Sequence, residues 1–214
     1  MITQKQFEEK CAEFGIEEGR AGFYEMAKGQ SLLGFKAEAC VILMGTWNFA
    51  AWRYGVKEFD RKKYDYLMHA LSPIFQELSG ERFETANYTK LEGKIERIYE
   101  PLSKIKGIEY TGATKLMLIE NPRLFMPWDQ YIRKEYNLSK DGKAYSSFLA
   151  TMQKEYGHLT APVGKTLPKA IDEYNYVTIS IPAMKEDKKK KMEAKEKKKE
   201  AMKQFKEWRK KQKA

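Results

Sequence analysis

The chain has 214 residues, 42% of them hydrophobic and 13% aromatic, which is enough apolar material for the core of one ordinary domain. Two cysteines exclude a disulfide framework and a four-thiolate cluster, and no apolar run approaches the roughly 20 residues that a bilayer-spanning helix needs. The first residues lack the basic-then-apolar pattern of a signal peptide. We therefore expect a soluble protein of a reducing compartment, either cytoplasmic and nucleoid-associated or, in a eukaryote, nuclear.

The net charge of +10 is concentrated at one end of the chain. Residues 185–214 contain 15 Lys and Arg against 6 Asp and Glu, so this segment carries +9 and residues 1–184 carry only +1. Such a tail is suited to polyanions, because each phosphate that it neutralises releases condensed counterions. A solvated helix without a partner is the alternative interpretation of the same charge run.

The first quarter of the chain is predicted to hold two helices joined by irregular chain. Phe7, Cys11 and Phe14 recur at helical spacing and predict a short first helix, and the four glycines of residues 15–30 predict an irregular connection. The broad apolar face of residues 31–54 predicts a central helix that is packed on several sides and is interrupted or ended near Gly45 to Asn48.

The middle of the chain is also predicted to be helical. Apolar residues at three- and four-residue steps predict further helices over residues 60–78, 89–105, 129–136 and 144–156. A very short connection at 106–110 joins the second of these helices to another apolar helical stretch, which indicates a helical hairpin. Glycines and prolines predict a loop at 157–169, and a short helix follows at 168–174.

The end of the chain is predicted to be a connector followed by an exposed helix. Alternation in YVTISIP, residues 176–182, predicts extended chain laid on the surface. Residues 183–214 are rich in strong helix formers and in Glu–Lys pairs at i,i+4, which predicts a solvent-exposed helix. Met202, Phe205 and Trp208 form an apolar stripe near its end, and we favour docking of this stripe on the domain over pairing with another chain or with a membrane surface.

The most specific signal lies between Leu102 and Tyr136. The pattern L-x-x-I-K-G-I-x-x-x-x-A-x-x-L-M places two apolar-faced helices on either side of a glycine-bearing turn, and it resembles the DNA-binding helix-hairpin-helix. The stretch PWDQYIR resembles the segment that bears the catalytic aspartate in the helix-hairpin-helix base-excision DNA glycosylases, the endonuclease III superfamily. The 18-residue spacing from Thr111 to Asp129 matches the spacing of nucleophile and aspartate in that family.

The resemblance implies an all-α fold of two helical lobes with a cleft between them. It places Asp129 where the family has the carboxylate that stabilises the oxocarbenium-like sugar and orients the attacking water. Trp47 and Trp128 become candidates for a base pocket or for the wedge that fills the gap left by a flipped base. The phosphate-binding element of the family corresponds here to Lys106, Gly107, Ile108, Thr111 and Gly112.

Three features depart from the family pattern. Thr111 stands where bifunctional members have the Schiff-base lysine, which predicts a monofunctional enzyme, and Lys115, one helical turn further on, is the candidate substitute amine. Glu109 replaces the second glycine of the turn and brings a negative charge near the phosphate. Two cysteines are too few for the iron–sulfur form of the family.

Simpler interpretations apply to several of these residues. Asp129 precedes a predicted helix, and Asp is a favoured N-cap, a role that is compatible with catalysis. Trp128 is equally suited to a core position. The segment PVGKT fails as a P-loop because Leu159 occupies the place of its first glycine, and His69 and His158 have no partners at zinc-ligand spacing, so neither a metal nor a cofactor is implied.

The sequence thus predicts an all-α, helix-hairpin-helix glycosylase-like domain at 1–182 and a Lys-rich helical tail at 183–214. The predicted function is that of a monomeric base-excision repair enzyme, a monofunctional DNA glycosylase that binds double-stranded DNA and hydrolyses the N-glycosidic bond of a flipped damaged or mismatched base. One alternative is a helix-hairpin-helix protein that binds DNA without catalysis. Another is a helical adaptor whose tail holds RNA or a partner protein.

Overall fold

The structure, a computed structural model of the chain, describes residues 2–211, and these fold as α-helices joined by short turns. Within that range there is no β-strand, which confirms the predicted all-α class. A 3-10 turn at Val56–Glu58 and a π-helical turn at Tyr176–Ser180 supplement the α-helices. The α-helices of this range are α1 (Gln4–Glu17), α2 (Ala21–Leu32), α3 (Lys36–Trp47), α4 (Phe49–Gly55), α5 (Arg61–Glu77), α6 (Tyr88–Ser103), α7 (Glu109–Glu120), α8 (Gln130–Glu135), α9 (Gly142–Tyr156), α10 (Leu167–Asn175) and α11 (Ile181–Lys211).

One hydrophobic core receives buried side chains from every helix between α1 and α10. Trp128, in the loop before α8, is among its largest fully buried side chains. The centroid of its ring lies 5.3 Å from that of Tyr145, 5.6 Å from that of Phe148 and 6.2 Å from that of Tyr99. Aromatic side chains bury more area than any others, so this cluster fixes the loop before α8 against α6 and α9.

The helices α6 and α7 form the predicted hairpin, and its turn is held against α4. Gly107 adopts φ +88°, a left-handed conformation that glycine tolerates at no steric cost. The turn approaches Gly55 so closely that a Cβ on Gly55 would lie 2.3 Å from the carbonyl oxygen of Lys106. The side-chain amide of Asn48 donates to the carbonyl oxygens of Gly107 (2.9 Å) and Ile108 (3.0 Å). The turn is therefore fixed to the α3–α4 junction.

The prediction of irregular chain over residues 15–30 is wrong, because most of that range lies in α2. Tyr24, Ala27 and Ser31 follow at three- and four-residue steps along α2, and all three are buried. Their packing against α3 offsets the entropic cost of the glycines in this helix. The expected break near Gly45 to Asn48 is confirmed by the α3–α4 junction.

The prediction of an extended connector over 176–182 is also wrong. A π-helical turn joins α10 to α11, so the chain runs helically from Leu167 to Lys211. Val177 and Ser180 in this turn are buried, and the hydroxyl of Thr178 donates to the carbonyl oxygen of Tyr174 at 2.8 Å. Alternating β-branched residues favour strands locally, but here burial against the domain keeps the backbone helical.

The helix α11 extends away from the core as an exposed rod, and the predicted domain boundary at 182 falls inside it. Met202, Phe205 and Trp208 are 50%, 54% and 55% exposed, so the expected docking of this stripe on the domain is wrong. The last three residues of the predicted tail, 212–214, lie outside the described residues. None of the helices between residues 2 and 211 combines the length and the apolarity that crossing a membrane requires.

Gly55→Ala should lower the free energy of unfolding by about 2 kcal/mol, because the added Cβ meets backbone of the hairpin turn. Gly93→Ala is the matched control: Gly93 is exposed in α6, a Cβ there meets nothing within 4 Å, and the change should add about 0.5–1 kcal/mol. Urea denaturation followed by circular dichroism measures both values. Equal effects of the two substitutions would contradict the close approach of the turn to α4.

Candidate active site

A cleft of about 730 Å³ opens beside the helical hairpin. Its walls come from the end of α1, the α3–α4 junction, the start of α7, the loop before α8, and the helical run from α10 to α11. This volume lies within the range of about 300–1,000 Å³ that is usual for ligand sites in proteins. Charged residues are prominent along it, namely Glu18, Arg20, Arg53, Glu109, Lys115, Asp129 and Asp172.

Asp129 lines the cleft and is also the N-cap of α8. Its Oδ1 accepts hydrogen bonds from the backbone amides of Tyr131 (2.7 Å) and Ile132 (2.9 Å). Among residues 2–211 no donor is bonded to Oδ2. The capping role that the sequence allowed is therefore confirmed, and it leaves the second carboxylate oxygen available to the cleft.

The loop that carries Asp129 is held by α7. The backbone amide of Trp128 donates to Oγ1 of Thr114 at 3.3 Å, and the indole N–H of Trp128 donates to the carbonyl oxygen of Tyr110, also at 3.3 Å. The ring of Trp128 is fully buried, so it lies behind the cleft wall and not at an exposed wedge position. Its function in the site is to position the residue that follows it.

Lys115, on α7, reaches the same cleft. Its ammonium group donates to the backbone carbonyl of Trp47. Burial lowers the pKa of Lys115 from 10.5 to about 8, although the charges of Asp172 and Asp129 oppose this shift. An amine with such a pKa is partly unprotonated near neutral pH and can act as a nucleophile. Thr111, one turn earlier on α7, also lines the cleft.

Asp172 is a second carboxylate of the cleft, and it was not among the residues selected from the sequence. It lies on α10, where burial raises its pKa while the charges of Lys169 and Lys115 act in the opposite direction. Its Oδ2 pairs with the ammonium group of Lys169 at 3.1 Å, and the same group lies 3.2 Å from Oε1 of Glu173. In the sequence, Asp172 and Glu173 follow Lys169 at i,i+3 and i,i+4, which predicts ion pairs on a helix. The same spacing is common in exposed pairs, so it does not by itself indicate a buried site.

Lys169 is buried inside a cage of three aromatic rings that adjoins the cleft. Its Nζ lies 4.7 Å from the ring centroid of Phe14, 4.8 Å from that of Trp47 and 5.4 Å from that of Tyr24. The rings of Trp47 and Tyr24 are stacked at 5.8 Å, and the indole N–H of Trp47 donates to the carbonyl oxygen of Arg20 at 3.1 Å. Trp47 is thus a rigid wall of the cleft, with cation–π contacts on its face.

The predicted phosphate-binding residues are divided between surface and core. Lys106 is exposed and pairs with Glu58. Ile108 is fully buried in the core, and Gly107 and Gly112 are buried where little space remains around their backbones. Of the hairpin residues selected from the sequence, Ile108 and Thr111 line the cleft, and Lys106, Gly107 and Gly112 do not.

The turn between α6 and α7 nevertheless leaves two backbone amides beside the cleft without an acceptor among residues 2–211. The amides of Ile108 and Glu109 both donate to the carbonyl oxygen of Ile105 at 3.0 Å. Within the described part of the chain the amides of Tyr110 and Thr111 have no acceptor, and both residues line the cleft. Glu109 adopts φ +53°, a left-handed conformation that favours glycine, at the position where the family pattern has its second glycine.

The cleft therefore brings together a fixed carboxylate, an amine of lowered pKa and two amides without acceptors. Comparisons with protein-family models, with curated proteins and with solved structures found no match. Perturbed ionisable groups cluster at functional sites, although structural ion-pair networks perturb them as well. What the protein does must therefore be inferred from the chemistry of these groups.

The lowered pKa of Lys115 makes a prediction about stability and pH. The folded protein binds the ammonium proton of Lys115 less tightly than the unfolded chain does. The charged lysine therefore destabilises the fold below its folded-state pKa of about 8, and this destabilisation disappears as the pH rises from 8 towards 10.5. Relative to Lys115→Met, the wild-type protein should gain about 2 kcal/mol of unfolding free energy between pH 7 and pH 10. Urea titrations of both proteins at the two pH values measure the difference, and a constant difference would show that Lys115 titrates normally.

Proposed function

We propose that the protein is a DNA glycosylase of the helix-hairpin-helix type, in which duplex DNA lies against the hairpin and a flipped nucleotide enters the cleft. The observation that carries the proposal is the position of Asp129. Its carboxylate lies in a cleft beside the free amides of Tyr110 and Thr111, with one oxygen fixed by α8 and the other without a donor among the described residues.

The chemistry of N-glycosidic cleavage fits this carboxylate. As the bond to the base breaks, positive charge develops on the sugar, and a preorganised negative group stabilises that charge without having to reorient. The two amide hydrogen bonds to Oδ1 hold the carboxylate of Asp129 in one orientation. The same group can orient a water molecule for attack on the anomeric carbon.

The surroundings of the carboxylate fit a nucleotide substrate. Amides without acceptors at the start of a helix bind phosphate, since their partial charges and the helix dipole both favour an anion. Phe49 and Tyr54 line the cleft with exposed aromatic rings, on which a flipped base can stack. Flipping costs a few kcal/mol and costs least at a lesion or a mispair, so damaged or mismatched bases are the substrates proposed.

Asp129→Asn should lower the rate of base release by at least about 100-fold, because it removes the charge that stabilises the sugar cation. Asn caps helices about as well as Asp, so the variant should keep the stability of the wild-type protein. The measurement is alkali-induced strand cleavage of duplexes that carry uracil, thymine mispairs, or oxidised or alkylated bases opposite each partner.

Asp141→Asn is the matched control, since Asp141 caps α9 through the amide of Ala144 (2.8 Å) and does not line the cleft. It should release bases at the wild-type rate. If wild-type protein binds duplex DNA but releases no base from any of these substrates, the non-catalytic DNA-binding alternative replaces the proposal.

A second candidate function adds a lyase step through Lys115, and the lowered pKa of this amine is the observation that favours it. The unprotonated amine would attack C1′ and displace the base, which leaves with a proton. The C1′–O4′ bond would then break, with O4′ taking up the proton released from the amine, and the resulting imine would allow β-elimination of the 3′ phosphate. In the monofunctional proposal water takes the place of this amine. Both versions use Asp129 in the same position.

The two versions differ in borohydride trapping. If Lys115 forms an imine, reduction during reaction with abasic duplex DNA should give a covalent protein–DNA adduct that is lost in Lys115→Gln. Lys154→Gln, which removes an exposed lysine of α9 that does not line the cleft, should leave the adduct unchanged. A gel of the reduced complexes measures the adduct. If the wild-type protein gives no adduct, the lyase step is excluded and the monofunctional proposal stands.

A further inference from the structure

The basic helix α11 starts at the rim of the cleft. The helical run that includes α10 and α11 contributes Asp172, Tyr176 and Met184 to the cleft walls before it leaves the domain. The hydroxyl of Tyr131 on α8 donates to Oδ2 of Asp187 at 3.1 Å and fastens the first turns of α11 beside Asp129. The place at which the basic helix leaves the domain is therefore set by the same elements that form the site.

A second, shallower groove of about 320 Å³ continues from the cleft along α11. It shares Tyr131 and Met184 with the cleft, so the two are adjacent. Its wall on α11 contains Met184, Asp187 and Met192 together with three lysines, Lys188, Lys191 and Lys195. The lysines follow at three- and four-residue steps and therefore share one face of the helix. We call these three residues the lysine track.

The lysines of the track are available for an anionic ligand. All three are exposed, and none of them forms an ion pair with another residue in the range 2–211. Lys190, which points to the other side of the helix, is instead paired with Glu186 at 2.6 Å. One carboxylate, that of Asp187, also lines the groove, so the three lysines leave it with a net positive charge.

We propose that the lysine track binds the sugar–phosphate backbone of the nucleic acid strand that leaves the cleft. This inference rests on the proposed function, because it takes the ligand of the cleft to be a nucleotide within a strand. The rise of an α-helix places Lys188 and Lys195 about 10 Å apart along the axis, which corresponds to about three nucleotides of a duplex strand. The track thus extends the contact of the protein with its substrate beyond the flipped nucleotide.

A defined contact along the lysine track can be distinguished by experiment from attraction through the net charge of α11. A helix that attracts DNA through its net charge alone would lose the same affinity whichever three lysines were neutralised. A track would lose affinity when its own three lysines are neutralised and would be insensitive to lysines elsewhere on α11. Lys189, Lys190 and Lys197 provide the matched set, since they are exposed and each lies about 100° or more around the helix from every lysine of the track.

The experiment compares the full-length wild-type protein with Lys188→Gln/Lys191→Gln/Lys195→Gln and with Lys189→Gln/Lys190→Gln/Lys197→Gln. Fluorescence anisotropy measures binding to a duplex that carries a tetrahydrofuran abasic-site analogue over a range of NaCl concentrations. The track variant should lower the slope of log K against log salt by about 2 to 3 and the affinity at physiological salt by about 10- to 100-fold. The matched variant should change the slope by less than about 1.

An equal loss of DNA affinity in both variants, or no loss in either, would contradict the proposal that the lysine track binds the strand. Binding of the wild-type protein to phosphatidylserine vesicles in place of the duplex also overturns it, because α11 would then contact a lipid surface. Base release is measured separately on the same proteins. If bases are released but the two variants bind DNA equally well, the proposal of the lysine track fails and that of the glycosylase stands. If only the track variant loses affinity for DNA and no base is released, the proposal of the lysine track stands and that of the glycosylase fails.

Discussion

Trp128 connects the core of the protein to its cleft. Its ring is buried among Tyr99, Tyr145 and Phe148, and replacing such a ring by Ala costs about 3–5 kcal/mol in a typical core. Because its indole and backbone N–H groups both donate to α7, the loop before α8 is attached to the core and to the hairpin. The carboxylate of Asp129 therefore has a fixed position relative to the hairpin amides, and the proposed chemistry depends on that position.

The charges around the cleft are arranged in a way that stability alone does not explain. Burying Lys169 with Asp172 and Glu173 costs desolvation energy, which ion pairing recovers only in part, and apolar residues of similar size would often serve a core as well. The aromatic cage returns some of this energy through cation–π contacts. The network keeps a carboxylate and the amine of Lys115 close to one another in a site that is only partly open to water.

The parts of the fold that follow from local pattern were predictable. The hairpin, α5 and α9 each have apolar residues at helical steps and capping residues such as Asp60 and Asp141, so short stretches of sequence are sufficient to define them. The errors in secondary structure fell on residues 15–30 and 176–182, where glycines or β-branched residues disfavour a helix locally. In both places burial against neighbouring helices outweighs these propensities, which amount to less than about 1 kcal/mol per residue.

The sequence by itself determined the all-α class and the hairpin, because apolar residues at helical steps define both. It also determined the placement of Asp129 and Lys115 on neighbouring elements, because these residues lie only 14 positions apart. Only the tertiary structure decided that Asp172 joins them, that Trp128 lies behind the cleft wall, and that α11 leaves from its rim. These relations join segments that are distant in the chain, and the packing of one core, which no local pattern encodes, brings them together.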